Sequence, residues 1–380
     1  MLYKYIIKKI KDFLREIRLL LTKKLYDKGR GFIQLGDNFI LENNIKSVVI
    51  VNKTGKIGDM VVTSFIFREL KKNYPYLILG VIARGNAKEV IKYNPNVDKI
   101  FDYNKKNLDN LAKEISDKEY DLLLFMTEEV REKEMRFIRN CKAKFNCGIN
   151  KIGWNLFNLS IEEGKDFKYN DHLTLWYKSL LSKIGVKKET DTSYDLYLGE
   201  QREQKIMTLK EMFKNDNILL LNPYGAGELR EFKDETTKKI VQVFKKLGWK
   251  VIILYYDDKY EKVKELSLAF DNVIVPEKIE SILDSSIYVK IADMVITPDT
   301  GIVHIASAYN KKIIAVYQYP KTQLTEWSDY KIWYPHTKNK CKVIFPDGKL
   351  SKYNIDNDTI DINNFDFIEM EAAIKYMVLE

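Results

Sequence analysis

The stretch DMVITPDTGIVHIASAYNKKIIAVY, residues 293–317, decides how this chain is read. DMVIT (293–297) and KIIAVY (312–317) are short apolar runs rich in β-branched residues, and a helical pattern fills the gap from about Gly301 to Tyr309. Strand, helix and strand in so short a span predict a parallel unit. The Asp-Thr-Gly triplet at 299–301 also occurs in aspartic proteases, whose chemistry needs two carboxylates sharing a proton, from two triplets or from a dimer. One triplet is present here, set between a strand and a helix. Asp299 is therefore read as the lead-in to a helix whose first amides, at Thr300 and Gly301, stand where an anion can sit. Thr300 equally suits an N-cap, and His304 equally suits a hydrogen-bonded core position.

Outward from this stretch the alternation continues. NILLLN (217–222), KVIILY (250–255) and NVIV (272–275) read as further buried strands. Helical patterns separate them at about 235–247, 259–270 and 279–290. An earlier series holds SVVIVN (47–52), LILGVIA (77–83) and DLLLFM (121–126), with helical stretches at about 59–73 and 87–93. At 380 residues, against about 100–200 per domain, two domains are expected. Both series predict doubly wound α/β domains, with a linker in the charged stretch 200–217. The expected boundaries are 1–46 for a basic extension, 47–205 and 206–345 for the two domains, and 346–380 for a closing segment.

Ligands of such folds bind beyond the carboxyl ends of the strands, which singles out three loops. NKTGKIGDMVVTS (52–64) places Asp59 at a helix start, where it suits either an N-cap or first-turn residue that satisfies free amides and the helix dipole, or a general base. NPYGAGELREFKDE (222–235) offers Gly225 and Gly227, which let backbone amides approach a phosphate, and Arg230 and Lys233 to neutralise it. It lacks the Lys-Ser/Thr ending of a P-loop. The third loop is PDTG itself.

The charge is local. The formal net charge is +9, and the first thirty residues alone carry ten Lys/Arg against three acidic residues, a net +7. The remainder is close to neutral, which argues against a nucleic-acid surface spread over the folded body. Between those cations Leu2, Ile6, Ile7, Ile10, Phe13, Leu14, Ile17, Leu20, Leu21 and Leu25 recur at steps of three and four. This is a basic amphipathic helix, suited to the surface of an anionic membrane or to packing on the protein's own body or a partner subunit. No apolar run reaches about 18 residues and no signal-peptide pattern is present, so a cytoplasmic body is expected, attached peripherally to the inner face of the membrane through residues 1–30. Cys141, Cys147 and Cys341 show neither zinc-site spacing nor a disulfide framework and are read as reduced thiols.

With the three loops in view, the chain resembles glycosyltransferase family 9, the heptosyltransferases of lipopolysaccharide core assembly. The stretch VNKTGKIGDMVVTSFIFRELKKNYPYLILGVIA, then NPNVDKIFDY, then NPYGAG, then PDTGIVHIASAYNKKIIAVY follow the order of the family's motifs over roughly 47–320. The resemblance implies a GT-B architecture: α/β, two Rossmann-like doubly wound domains facing a cleft, here with an added N-terminal amphipathic helix. The closing FIEMEAAIKYMVLE would supply a helix returning toward the first domain. The implied activity is inverting transfer of a sugar, typically heptose from ADP-heptose, to a saccharide acceptor of a cell-surface glycan. Carried over by position, Asp59 matches the base, with Lys53, Lys56 and Gly58 beside it on the acceptor side. Asp299, Thr300, Gly301 and His304 match the donor motif, together with Gly225, Gly227, Arg230 and Lys233. Two departures stand out: Lys53 replaces a usual Arg, and Arg230-Glu231-Phe232-Lys233 replaces a Lys followed by Trp-Pro.

Neither a cofactor nor a metal is expected, because protein groups can stabilise the leaving diphosphate. The single Asp-x-Asp triplet, Asp356-Asn357-Asp358, reads as a solvated loop. A membrane-attached protein that binds sugar nucleotides or glycans without turnover is the second hypothesis, and retention of Asp59 argues against it. A nicotinamide-dependent oxidoreductase is disfavoured by the absence of G-x-G-x-x-G after the first strand.

Overall fold

The computed structural model describes residues 2–29, 31–33, 38–186, 189–319, 329–347 and 360–379. Arg30 and the triplet Asp356-Asn357-Asp358 lie outside them. The chain divides into two compact units. Unit 1 comprises Met1–Gly55, Ile66–Lys88 and Pro95–Thr192; unit 2 comprises Lys56–Phe65, Glu89–Asn94 and Ser193–Glu380.

The elements of the first half are α1 (Leu2–Tyr26), α2 (Phe39–Glu42), β1 (Ser47–Asn52), α3 (Ile57–Asn73), β2 (Ile78–Ala83), α4 (Ala87–Ile91) and β3 (Lys99–Asp102). Then come α5 (Leu108–Asp117), β4 (Leu122–Phe125), α6 (Glu132–Cys141), β5 (Phe145–Ile149), β6 (Leu159–Ile161) and α7 (Leu173–Lys183). The six strands form one sheet in the order β3-β2-β1-β4-β5-β6, every pair parallel. This is the doubly wound order, with the chain reversing direction across the sheet between β1 and β4. Three of these strands match the sequence expectation. The others (KIFD, FNCGI and LSI) are short and carry charged, polar or glycine residues, so no apolar run announces them.

Asp121 explains how β1 and β4 find their register. Its Oδ2 accepts from the backbone N–H groups of Lys46 at 2.7 Å and Ser47 at 3.1 Å. Burial pushes its pKa up, and the Lys144 ammonium together with those backbone bonds outweighs it and holds the pKa down. One side of the sheet is covered by α5 and α6, whose Leu111, Ile115 and Ile138 pack with Val49, Leu123 and Phe125.

Unit 2 repeats the plan. Its elements are α8 (Glu200–Met212), β7 (Ile218–Leu221), α9 (Asp234–Lys246), β8 (Lys250–Ile253), α10 (Tyr260–Ala269) and β9 (Val273–Ile274). They continue with α11 (Ile282–Ile291), β10 (Met294–Pro298), α12 (Gly301–Ala308), β11 (Lys312–Val316), β12 (Cys341–Ile344) and α13 (Phe367–Leu379). The sheet runs β12-β11-β10-β7-β8-β9, again all parallel. Its reversal lies between β7 and β10, and a second aspartate pins it: Asp293 Oδ2 accepts from Ile218 N–H at 2.8 Å.

The charged stretch expected to hold a linker is instead mostly helix α8. It packs on α11 through ion pairs, Arg202 with Asp284 at 2.8 Å and Lys290 with Glu203 at 2.7 Å, so these two of its charges are partnered there. Sequence polarity alone does not separate a linker from a helix whose polar residues meet another helix. The helix expected to return toward the first domain is α13, and Met370, Ala373, Ile374 and Met377 lie in the core of unit 2 with Val316 and Ile344. Cys141 and Cys147 are buried free thiols raised in pKa by burial, whereas Cys341 is half-buried.

At the other end of the chain α1 is anchored through its last turns. Thr22 and Asp27 are buried, while Ile10, Phe13, Leu14, Leu20, Leu21 and Leu25 are exposed. Among the described residues no helix is long and apolar enough to cross a membrane.

Candidate active site

In unit 2, α12 starts where β10 ends, beside the sheet reversal. Thr300 is its N-cap, extended at φ −142° and ψ 175°, and its hydroxyl accepts from Ile302 N–H at 3.3 Å. Extended backbone followed by a hydroxyl cap is what stops β10 and begins the helix. A buried amide ties this turn to the loop after β7. Asn222 Nδ2 donates to Thr297 Oγ1 at 2.9 Å, to Thr300 Oγ1 at 3.3 Å and to the Tyr224 carbonyl at 3.0 Å. No motif in the sequence marks Asn222 or Thr297 as a partner of this turn. Asn222 reads as a strand terminus, and nothing local shows that it reaches across to β10.

The loop after β7 turns on two glycines that act differently. A Cβ on Gly225 would lie 2.2 Å from the Arg230 carbonyl oxygen, so glycine is required for the backbone to fold back on itself. Gly227 sits at φ +132°, a left-handed conformation that side chains resist, and opens the 3-10 turn Glu228–Arg230. Arg230 is thereby brought toward Asp299, whose carboxyl feels both its guanidinium and the Lys56 ammonium. Burial outweighs both cations and pushes Asp299 up to about 6. Lys233, the other cation considered for this loop, is bonded to Asp361 Oδ2 at 2.6 Å.

The first turns of α3 belong to the same unit. A Cβ on Gly301 would lie 3.1 Å from Ile57 Cγ2, and one on Gly58 would lie 2.6 Å from His304 Cδ2. Two helix starts therefore meet through two glycines, and Asp59, buried in the first turn of α3, is the residue next to that contact. The buried His304 ring stands 6.2 Å from the Tyr194 ring and 5.9 Å, edge to face, from the Trp333 ring. Tyr194 and Trp333 carry no signal in the sequence, being isolated residues on segments without periodicity.

Lys53 falls on the other side of the unit boundary. It belongs to unit 1, where its ammonium bonds Glu134 Oε2 at 2.5 Å and the Glu129 carbonyl at 2.7 Å, under the Phe125 ring. Burial lowers its pKa, and Glu134 pulls the other way. Of the candidate residues, Lys56, Gly58, Asp59, Gly225, Arg230, Asp299, Thr300, Gly301 and His304 converge, while Lys53 and Lys233 are engaged in ion pairs.

The sequence pattern of Glycosyltransferase family 9 (heptosyltransferase) matches residues 108–351, well over half of the chain. The chain belongs to glycosyltransferase family 9. It is a glycosyltransferase with the two-domain α/β GT-B fold. It is 27% identical over 329 residues to "Putative lipopolysaccharide heptosyltransferase 4" of Escherichia coli (strain K12), covering 83% of this chain and 85% of that protein. Among solved structures, a family 9 glycosyl transferase from Veillonella parvula DSM 2008 superposes with a TM-score of 0.68 at 16% identity, over 88% of this chain and 97% of the other. The E. coli heptosyltransferase WaaC, solved with ADP-2-deoxy-2-fluoro heptose, superposes with a TM-score of 0.62 at 15% identity, over 86% and 99%.

Proposed function

We propose that this glycosyltransferase moves heptose from ADP-heptose, with inversion, to a saccharide acceptor of lipopolysaccharide or a related cell-surface glycan. The observation that carries the reading is the meeting of α3 and α12 at Gly58 and His304, which puts Asp59 beside the Asp299-Thr300-Gly301 turn. The relatives support the substrates: one is named for lipopolysaccharide heptosyl transfer, another was solved with an ADP-heptose analogue.

In this reading Asp59 takes the proton of the attacking acceptor hydroxyl as the oxygen bonds to the anomeric carbon. The bond from that carbon to the diphosphate breaks, and ADP leaves with the electron pair. The α12 amides after Thr300, with Arg230, bind the negative charge that develops on it. Arg230 is preferred to Lys233 because the latter is already paired with Asp361, and because a guanidinium fits phosphate with two parallel hydrogen bonds. Lys56 adds positive charge on the α3 side. We place the reaction at the inner face of the membrane, with residues 1–30 holding the enzyme on anionic lipid; the net +7 of that segment and the exposed apolar residues of α1 support this.

The test is turnover of ADP-heptose with a lipopolysaccharide-type acceptor, followed as ADP release and as glycosylated product. ADP-heptose binding without release in the presence of acceptor would replace the enzyme by a binding protein.

A further inference from the structure

We propose that the loop Asn150–Asn155, with Ile152 at its tip, is a second contact with an anionic lipid bilayer beside α1. This rests on the membrane attachment proposed above, and it names a part of unit 1 that a helical anchor alone does not require. The end of α1 and this loop are fastened together. Asp27 Oδ1 accepts from Leu156 N–H at 2.8 Å, and Lys23 Nζ donates to the Gly153 carbonyl at 3.2 Å while standing 4.3 Å over the Trp154 ring. A Cβ on Gly29 would lie 2.2 Å from the Asn155 carbonyl oxygen, so the chain leaving α1 runs directly against the loop.

The loop itself is held. Asn150 at φ 54° and Gly153 at φ 84° take left-handed conformations, and Glu162 Oε1 accepts from the N–H groups of Lys151 at 3.0 Å and Ile152 at 3.1 Å. Beneath it the fully buried Lys151 donates to the Ile149 carbonyl at 2.6 Å. A loop fastened at so many points nevertheless leaves Ile152 69% exposed. Phe32, 46% exposed, lines the same pocket of about 370 Å³ as Ile152.

A lone exposed isoleucine is ordinary. This one adjoins the fastened end of a helix whose Leu20, Leu21 and Leu25 are 68%, 59% and 62% exposed, in a segment of net +7. That charge selects the occupant: anionic headgroups attract it, while apolar side chains enter the acyl boundary below. Two separate contacts also restrict rotation of unit 1 about the axis of α1.

The experiment is sedimentation of the full-length protein with vesicles of phosphatidylcholine containing about a third phosphatidylglycerol. Wild type is compared with Ile152→Asn, with the helix variant Phe13→Asn/Leu20→Asn, and with Ile368→Asn, a residue equally exposed at 69% on α13. Ile152→Asn should weaken partitioning about fivefold or more, Ile152→Leu should restore it, and Ile368→Asn should change it little. Melting temperature and ADP binding check that the variants are folded. Loss of pelleting in the helix variant with wild-type pelleting of Ile152→Asn would overturn the loop contact and leave the helical attachment standing. A wild-type chain that does not pellet would overturn both. Light scattering that shows a wild-type dimer dissociated by Ile152→Asn, with pelleting unchanged, would assign the surface to a second copy instead.

Discussion

His304 occupies the space that a side chain on residue 58 would need: a Cβ built on Gly58 stands 2.6 Å from His304 Cδ2 and 3.2 Å from its Nε2. Alanine in a helix ordinarily gains about 1 kcal/mol over glycine, but here the ring is buried next to Tyr194 and Trp333 and has little room to retreat. Steric overlap therefore outweighs propensity. Gly58→Ala should lose about 1–3 kcal/mol of stability. His304→Ala in the same chain should recover much of that loss without restoring turnover. Urea melts and turnover of the two single variants and the double variant measure the coupling.

Asp59 is the third residue of α3, so its structural role is that of a first-turn carboxylate favoured by the helix dipole and not an N-cap, and variants separate that role from catalysis. Asp59→Asn keeps the size and loses the basicity, so turnover should fall about 10²–10⁴-fold with donor affinity nearly unchanged. Asp59→Ala should in addition lose up to about 1 kcal/mol of stability, the dipole contribution of a first-turn carboxylate. Steady-state kinetics beside thermal melts read both quantities, and near-normal turnover of Asp59→Asn would remove the residue from the mechanism.

Arg230 and Lys233 differ in what already holds them. Arg230→Ala should weaken ADP binding about tenfold or more, through loss of a charge-assisted contact to phosphate. Lys233→Ala should leave ADP affinity alone. Its side chain is 63% exposed in the pair with Asp361, so the stability change should stay under about 1 kcal/mol. Titration calorimetry on both variants decides, and the reverse ranking would transfer the phosphate to Lys233.

Asp299 gives a pH dependence with a definite sign. Burial raises its carboxyl from 3.8 to about 6. The neutral form is thus favoured by folding, and the associated stability is complete below 3.8 and lost as pH rises through about 6. Asp299→Asn should remove that loss, leaving the variant more stable than wild type at about pH 7 and similar to it below about pH 4. Melting temperatures across this range test it, and parallel curves for the two proteins would contradict it.

Thr300→Val removes the hydroxyl that caps α12 and receives Asn222, and should lose about 1–2 kcal/mol as well as donor affinity. Thr300→Ser should keep both, because Asn222 needs only the oxygen. Equal donor affinity in Thr300→Val would show that the α12 turn does not touch the donor.

The two series of apolar runs were enough to reveal parallel α/β units, because a strand buried on both faces announces itself by composition alone. The same local reading found the Asp-Thr-Gly turn, Gly58-Asp59 and the glycine loop, whose residue types are unusual at strand ends. It also found the basic stripe of α1, since amphipathicity is periodic within one helix. Partnership is a different matter. That Lys233 belongs to Asp361, Lys53 to Glu134 and Asn222 to Thr297 and Thr300 depends on segments 75 to 128 residues apart in the chain. No window of sequence contains both members of such a pair. The packing of the folded chain brings them together, and for Asn222 with Thr297 the register of β7 and β10, pinned by Asp293, does so. For the same reason α8 reads as a linker from sequence: its residues are charged, and only the packing of α11 against it shows that Arg202 and Glu203 are paired.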